Sequence, residues 1–339
     1  MKGERGFLLI SLYMVVVILV ILGGTLVAQA LTEVRAAQRS QASTQALYLA
    51  EAGIDQAIGQ LRQDFNWATG YNSVPLGTTG AYTVSLQAVG ADKRITSSGE
   101  SRLFATPVNR SLEVFVRKSI PPNFYDNAIW ASRDLDFRGN TYSVVGDVRH
   151  GDTIPTGNMN NVSGTITYDA ATNPLPRLSF QQLFNIAQAQ GNVYDAERLA
   201  NGHNVFPASF WYTPPTDPND PLTGVPNVNY VTTDLVLNGD IGTIGGFFVV
   251  VGNVLTDPST TENSTINGNG LIEGAIYTTG NFEVNGGGNG LNVNGGVWAG
   301  SEARLQGATT IQYNFDYMNA IRALGINADV QVVSWTELD

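Results

Sequence analysis

"ERGFLLISLYMVVVILV", residues 4–20, sets two charged residues and a glycine against an apolar run that begins abruptly at Phe7. From Phe7 to Thr32 no residue is charged. The most apolar part, Phe7 to Ala28, would extend roughly 30 Å as a helix, enough to cross the hydrocarbon of a bilayer. Lys2 and Arg5 precede the run and Glu33 comes after it. By the positive-inside tendency the short N-terminus stays in the cytoplasm and the rest of the chain lies outside.

The run by itself fits two fates, a secretory signal cut after Ala28-Gln29-Ala30 or a plain uncleaved anchor. Its length exceeds the usual apolar core of a signal. The residues beyond Thr32 open a third. Leu47, Ala50, Ile54, Ile58, Leu61 and Phe65 recur every three or four residues, and no proline falls between Leu31 and Asn66. The spacing predicts that the helix continues, so that one helix over 7–66 would reach roughly 90 Å. Its first half is apolar all round and its second half is amphipathic, as suits a rod that packs in two surroundings.

Composition bounds the remainder. The chain has 339 residues, 43% hydrophobic and 14% charged, with 37 glycines, a profile of short strands and tight turns rather than of a helical bundle. A formal net charge of -11 with 18 Lys and Arg argues against a general grip on nucleic acid. There is no cysteine, which removes disulfides, thiolate metal sites and cysteine nucleophiles.

With the leader Met1–Gly6 ending in Arg5-Gly6, then Phe7, the apolar span and "ALYLAEAGIDQAIGQL" at 46–61, the chain resembles type IV pilin-like proteins, specifically the PilX-type minor pilins. The resemblance covers residues 1–120 well and the remainder loosely. It implies that a membrane prepilin peptidase cuts after Gly6 and that the new N-terminus, Phe7, is methylated. It further implies that the helix later leaves the bilayer to pack in a filament, with other minor pilins, the major pilin and the inner-membrane assembly platform as partners. The expected location is a single pass in the inner membrane before assembly and the extracellular pilus or cell surface afterwards. Major pilins carry a glutamate five residues into the mature chain, where this chain has Ser11. A hydroxyl cannot neutralise a buried ammonium, so Ser11 points to a low-copy tip or priming position rather than a repeated shaft subunit. The blander reading is that Ser11 bonds to carbonyls of the preceding turn.

Past the helix, Tyr82, Val84 and Leu86 alternate, as do Leu112, Val114 and Val116, with "KRITSSGES" between them. These predict an antiparallel, pilin-like sheet over 67–122, covered on one face by the helix stripe and closed by Pro121-Pro122. Farther on, "NAIWASRDLDFRG" (127–139), "GAIYTTGNFEVNG" (274–286) and "GGVWAGSEARLQG" (295–307) align without gaps, the last two starting 21 residues apart. Trp130, Tyr277 and Trp298 fall in register, as do Leu135, Phe282 and Ala303, then Phe137, Val284 and Leu305. Such a period predicts a β-solenoid-like region over 123–313, with Tyr277 stacked on Trp298 and Val284 on Leu305; a Gly-rich sandwich is the competing architecture. Asn267, Asn269, Asn285, Asn289, Asn292 and Asn294 fit turns. Two inserts, a helical one at 177–200 and a proline-rich one at 213–227, interrupt it. A C-terminal helix and strand over 314–339 complete an α+β fold.

Catalytic chemistry is sparse. His150 and His203 are the only histidines and read as surface residues, and the glycine-rich "GTIGG" (242–246) and "GNGLIEG" (268–274) lack the lysine or spacing of a phosphate loop. Asp134 and Asp136 share a strand and read as solvated carboxylates, with Glu273 and Glu283 on later passes; "DPSTTEN" (257–263) lacks calcium-loop spacing. No catalytic, cofactor or metal site is expected, and the chain is read as an assembly and contact protein rather than an enzyme. Its rivals are a secreted β-solenoid adhesin or glycan-acting enzyme, and a pseudopilin of a related secretion machine.

Overall fold

The computed structural model describes the chain except for residues 1–3, 91, 105, 122, 152–154, 169–174, 201–204, 218–219, 238, 253, 256–268, 287–289 and 339; for 4–11, 254–255 and 285–286 it describes the backbone alone. The chain divides into two compact units, residues 1–116 with 334–339, and residues 117–333.

The first unit is built on helix α1, Glu4–Gln63. No proline interrupts it, and alanines recur through its second half, so propensity and pattern agree. It ends three residues short of the 7–66 span. The Asp64 carboxylate accepts the Asn66 backbone N–H at 2.9 Å, a local turn that diverts the chain before Phe65 can join the helix. Strands β1 (Tyr71–Pro75), β2 (Gly80–Val89), β3 (Asp92–Ser101) and β4 (Val108–Arg117) form a sheet in that order, with β1–β2 and β2–β3 antiparallel and the C-terminal strand, Gln331–Leu338, beside β4. "KRITSSGES", which the apolar alternation sets between strands, is β3 itself.

The helix face on this sheet is Ala42, Ala46, Leu49, Ala50, Ile54, Ala57 and Leu61, all buried; Leu47 and Ile58 are half-buried at its margins. Opposite it lie Tyr82, Val84, Ile95, Ser97 and Gly99. Small residues set the distance. A methyl group on Gly99 would come within 2.0 Å of the Ala46 carbonyl oxygen, and one on Gly53 within 2.3 Å of the Ser97 hydroxyl. The two backbones therefore approach as closely as glycine permits. Gln45 fixes the register, accepting from the Ser101 hydroxyl and donating to Thr79 Oγ1 at 2.9 Å.

The second unit is made mainly of parallel strands, with one short antiparallel pair, Trp211–Thr213 beside Val225–Pro226. Its long strands, Asp240–Val250, Asn269–Thr278 and Leu291–Ala299, share a corner at Gly246, Gly274 and Gly295, where φ is 126°, 133° and 154°. These glycines pair with one another across the ladder. Each carbonyl fills the space a neighbour's Cβ would need, 1.8 Å in the case of Gly295 and the Gly274 oxygen. Glycine is required at this corner. A second parallel sheet, from Leu235–Val236, Val254–Leu255, Phe282–Gly286, Ala303–Gly307, Leu135–Arg138 and Thr156–Gly157, receives the chain after each long strand.

Tyr277 pairs with Trp298 and Val284 with Leu305, as the sequence alignment predicts. The first aligned segment joins them in an unexpected place. Trp130 pairs with Trp298, and Phe137 with Leu305, so the earliest pass in sequence is seated beside the latest. Residues 148–150 and 166–168 continue outward from it, while Val193–Tyr194 pairs at the far end with Tyr230–Val231.

Alternation divides the side chains into two cores. Leu135, Phe137, Phe282, Val284, Ala303 and Leu305 point inward, with Val148, Phe248, Ile276 and Val297. Trp130, Tyr277 and Trp298 point the other way, into a second cluster roofed by helices α2 (Phe180–Gln190) and, after the short α3 (Ala196–Leu199), α4 (Phe315–Ala323). There Phe124 stacks on Trp298 with ring centres 4.4 Å apart. Ser179 and Asn314 cap α2 and α4, and Gly191 in left-handed geometry closes α2.

The glycine-rich "GTIGG" is strand throughout, and so is "GNGLIEG" from Asn269 on; their glycines serve the corner. Asn269, Asn285, Asn292 and Asn294 likewise lie in strands rather than turns. Asn267, Asn289 and "DPSTTEN" fall outside the described residues.

Candidate functional site

The site residues expected from the sequence stand at the start of α1. Gly6, Phe7 and Ser11 lie on the helical backbone there, with side chains outside the described part. From Leu12 to Leu31 every side chain is exposed, Val20 by 68%. So long an unbroken apolar surface is unfavourable in water and suits lipid or other apolar helices. This helix is long and apolar enough to cross a membrane. An apolar N-terminal rod seated on an antiparallel sheet fits a pilin-like protein and is compatible with a membrane stage before surface display.

Where the apolar surface ends, a groove of about 1260 Å³ opens between α1 and the start of β4. Its helix side carries Thr32, Arg35, Ala36 and Arg39; its other side carries Phe104, Thr106 and Arg110. Arg35 and Arg39 precede the buried Ala42 and Ala46 by one heptad, so they occupy the sheet-facing side of the rod before the sheet begins. Arg110 is held from both sides: its Nε donates to Ser43 Oγ at 2.8 Å, and its guanidinium lies 3.5 Å from the Glu337 carboxylate. The i, i+4 spacing of Arg35 and Arg39 is visible in the sequence; their convergence with Arg110 depends on the fold of β4.

The carboxylates considered for catalysis are placed differently from the expectation. Asp136 is buried, not solvated, and its Oδ2 accepts from Arg138 Nε at 2.8 Å and from Arg304 Nε at 3.0 Å. Glu283, Arg304 and Asp136 pair on neighbouring strands, so an arginine separates the two acids, and Glu302 adds a contact at 3.1 Å. Burial pulls the Arg304 pKa down, but Glu302, Glu283 and Asp136 more than offset it and the net shift is upward. This is an alternating charge ladder along a sheet face. Glu273 is on a strand of the other sheet, and Asp134 precedes the Leu135 strand.

His150, expected at the surface, is buried because in-register pairing sets it between Ala131 and Tyr168. His203 lies outside the described residues. Elsewhere, the hydrogen bond between Arg102 and Glu100 lowers the glutamate and raises the arginine, while burial pushes Tyr125 up to about 12 and raises Tyr277, whose hydroxyl donates to the Pro176 carbonyl at 3.1 Å. No cluster of three or more metal-ligating side chains occurs among the described residues.

No family model and no curated protein matches the chain. Among solved structures, an ice-binding protein from an Antarctic bacterium of the Flavobacteriaceae matches with 16% identity over 58% of this chain and 49% of its own, TM-score 0.23. The chain thus spans about half of that protein. An ice-binding protein from the Antarctic ascomycete Antarctomyces psychrotrophicus matches with 13% identity over 57% and 97%, TM-score 0.25. The competence-associated pilin ComZ from Thermus thermophilus matches with 12% identity over 87% of this chain and 97% of its own, TM-score 0.23. Likenesses at these scores assign no activity.

Proposed function

We propose that this protein is a minor pilin of a type IV pilus system, of the PilX type, acting at low copy in a tip or priming complex to support filament assembly and surface contact. The observation that carries this reading is α1: a 60-residue helix that is exposed from Leu12 to Leu31 with no charge in that stretch, and whose second half is seated on an antiparallel sheet. A rod of this kind can be stored in lipid and then packed against like rods without refolding.

On this reading prepilin peptidase cuts after Gly6, Phe7 is methylated, and Ser11 keeps the subunit out of repeated stacking in the shaft. The partners are other minor pilins, the major pilin and the inner-membrane assembly platform. The second unit is a β-solenoid displayed outward as a contact module, not an enzyme, and it works without metal or cofactor. In its support, the carboxylates nearest to a catalytic pair are separated by Arg304.

The test is the mass and N-terminal sequence of the mature protein. A methylated chain beginning at Phe7 is the expected result. A chain beginning at Leu31 marks ordinary signal cleavage and overturns the proposal in favour of a secreted protein.

A further inference from the structure

The groove beside α1 concentrates positive charge in an acidic chain. The chain carries 18 Lys and Arg against 29 Asp and Glu, yet arginines and no acid line this groove. Arg35 and Arg39 are exposed there, one turn apart, and among the described residues neither takes part in an ion pair. Arg110 joins them from the sheet side, held by Ser43 and by Glu337, whose carboxylate offsets that arginine alone. Glu33 is the nearest acid in sequence, but two residues of helix set it about 160° round the rod from Arg35. It accepts from Gln29 Nε2 at 3.1 Å instead.

Height on the rod matters as much as sign. The exposed apolar stretch runs to Leu31. At the helical rise Arg35 stands about 6 Å beyond that point and Arg39 about 12 Å. The headgroup layer on one side of a bilayer is roughly 5–8 Å deep, so Arg35 falls within it and Arg39 just above it. Side chains on a helix lean toward its N-terminus, which here is the bilayer side, so both guanidiniums can reach down to that layer. Half-buried Phe104 and exposed Ala36 add apolar surface to the same groove.

We infer that the groove binds the headgroup of an anionic phospholipid from the bilayer that α1 spans, with Arg35 and Arg39 on the phosphate oxygens and Arg110 as a third positive charge. Guanidinium groups match phosphate oxygens in geometry as well as in sign. The inference rests on the reading of α1 as a membrane span before assembly and adds what fixes its depth. A headgroup held here sets the height of the sheet above the bilayer, and it is a contact the chain gives up on leaving the membrane. Free phosphate would meet the same arginines but would gain nothing from the apolar surface beside them.

Native mass spectrometry of the full chain in a neutral detergent, with phosphatidylglycerol or phosphatidylcholine added, tests the site. The parent should prefer phosphatidylglycerol by at least about tenfold, and a variant carrying Arg35→Gln and Arg39→Gln should lose that preference. A control carrying Arg62→Gln and Arg94→Gln, outside the groove, removes the same charge and should keep it. Helical circular dichroism identical to the parent shows that both variants fold. Equal binding of the two lipids by the parent, the same loss in the control, or displacement of the lipid by millimolar inorganic phosphate overturns the inference.

The chain has no cysteine, so single labels report depth. In vesicles containing phosphatidylglycerol, a fluorophore at Ala36→Cys should be quenched by a lipid with a nitroxide on its headgroup, and one at Leu19→Cys by a lipid with a nitroxide deep in its acyl chain. No quenching at Ala36→Cys overturns the headgroup site. Quenching at Leu19→Cys without a lipid preference leaves the membrane span standing and removes the site alone. No quenching at Leu19→Cys removes the span, and the site with it.

Discussion

The two units solve the same problem, closing one layer of backbone on another, by different means. In the first, a helix approaches a sheet through small residues at Gly53, Ser97 and Gly99, and the strands are joined in sequence order. In the second, strands far apart in sequence pair in parallel, and close approach is set by the glycine corner at 246, 274 and 295. The first unit reaches the limit of close approach where Gly99 lies under the Ala46 carbonyl oxygen. The second repeats it from strand to strand, the Gly246 and Gly274 carbonyls occupying the space of the next residue's missing side chain.

Gly295→Ala should show this contrast most strongly. The added methyl meets a backbone oxygen at 1.8 Å in a conformation L-residues avoid, so a loss of about 3 kcal/mol or more is expected. Hydrogen exchange should localise the loss to amides of residues 272–299 and leave those of 82–99 protected. Equal loss in both segments would mean that the units are not separate in stability.

Alkali provides a milder test. Burial raises Tyr125 to about 12, and a group that holds its proton more tightly when folded stabilises below its unfolded pKa near 10. That contribution, about 2–3 kcal/mol from a shift of about two units, is lost as pH rises from about 10 through 12. Tyr277, shifted the same way, adds to it. The unfolding free energy of the second unit should fall across this window, and Tyr125→Phe should flatten the fall.

The smallest effect is expected at Phe65. The sequence pattern makes it the last residue of the buried stripe, where Phe65→Asp would place an unpaired charge under the sheet. The structure sets Phe65 beyond the helix end, half-buried, with the Lys93 ammonium 5.6 Å from its ring centre. A carboxylate there would face a cation, so Phe65→Asp should cost no more than about 1 kcal/mol in thermal unfolding. A larger loss would return Phe65 to the core.

The parts legible in the sequence are those with a sustained period. The 3.6-residue repeat marks α1, and the 21-residue repeat is enough to set Tyr277 on Trp298. β3 escapes such a reading because its helix-facing positions, Ser97, Gly99 and Ser101, are small or polar and break the apolar alternation. The corner strands resemble turns because a glycine that bends a strand and one that ends it look alike in a single sequence. Asp136 reads as solvated because only one of its two arginine partners, Arg138, is near it in sequence; the other, Arg304, is 168 positions away. For the groove, Arg35 and Arg39 are legible as a pair, whereas Arg110 enters only through β4 and its link to Ser43.

Trp130 seated against Trp298 has a consequence in time. During synthesis the segment around 130 emerges long before the strand that covers it, so its ladder edge stays unsatisfied until residues 291–307 arrive. Closure of the second unit is therefore governed by its tail, and a chain stalled before that point would be left with its earliest strands still seeking a neighbour.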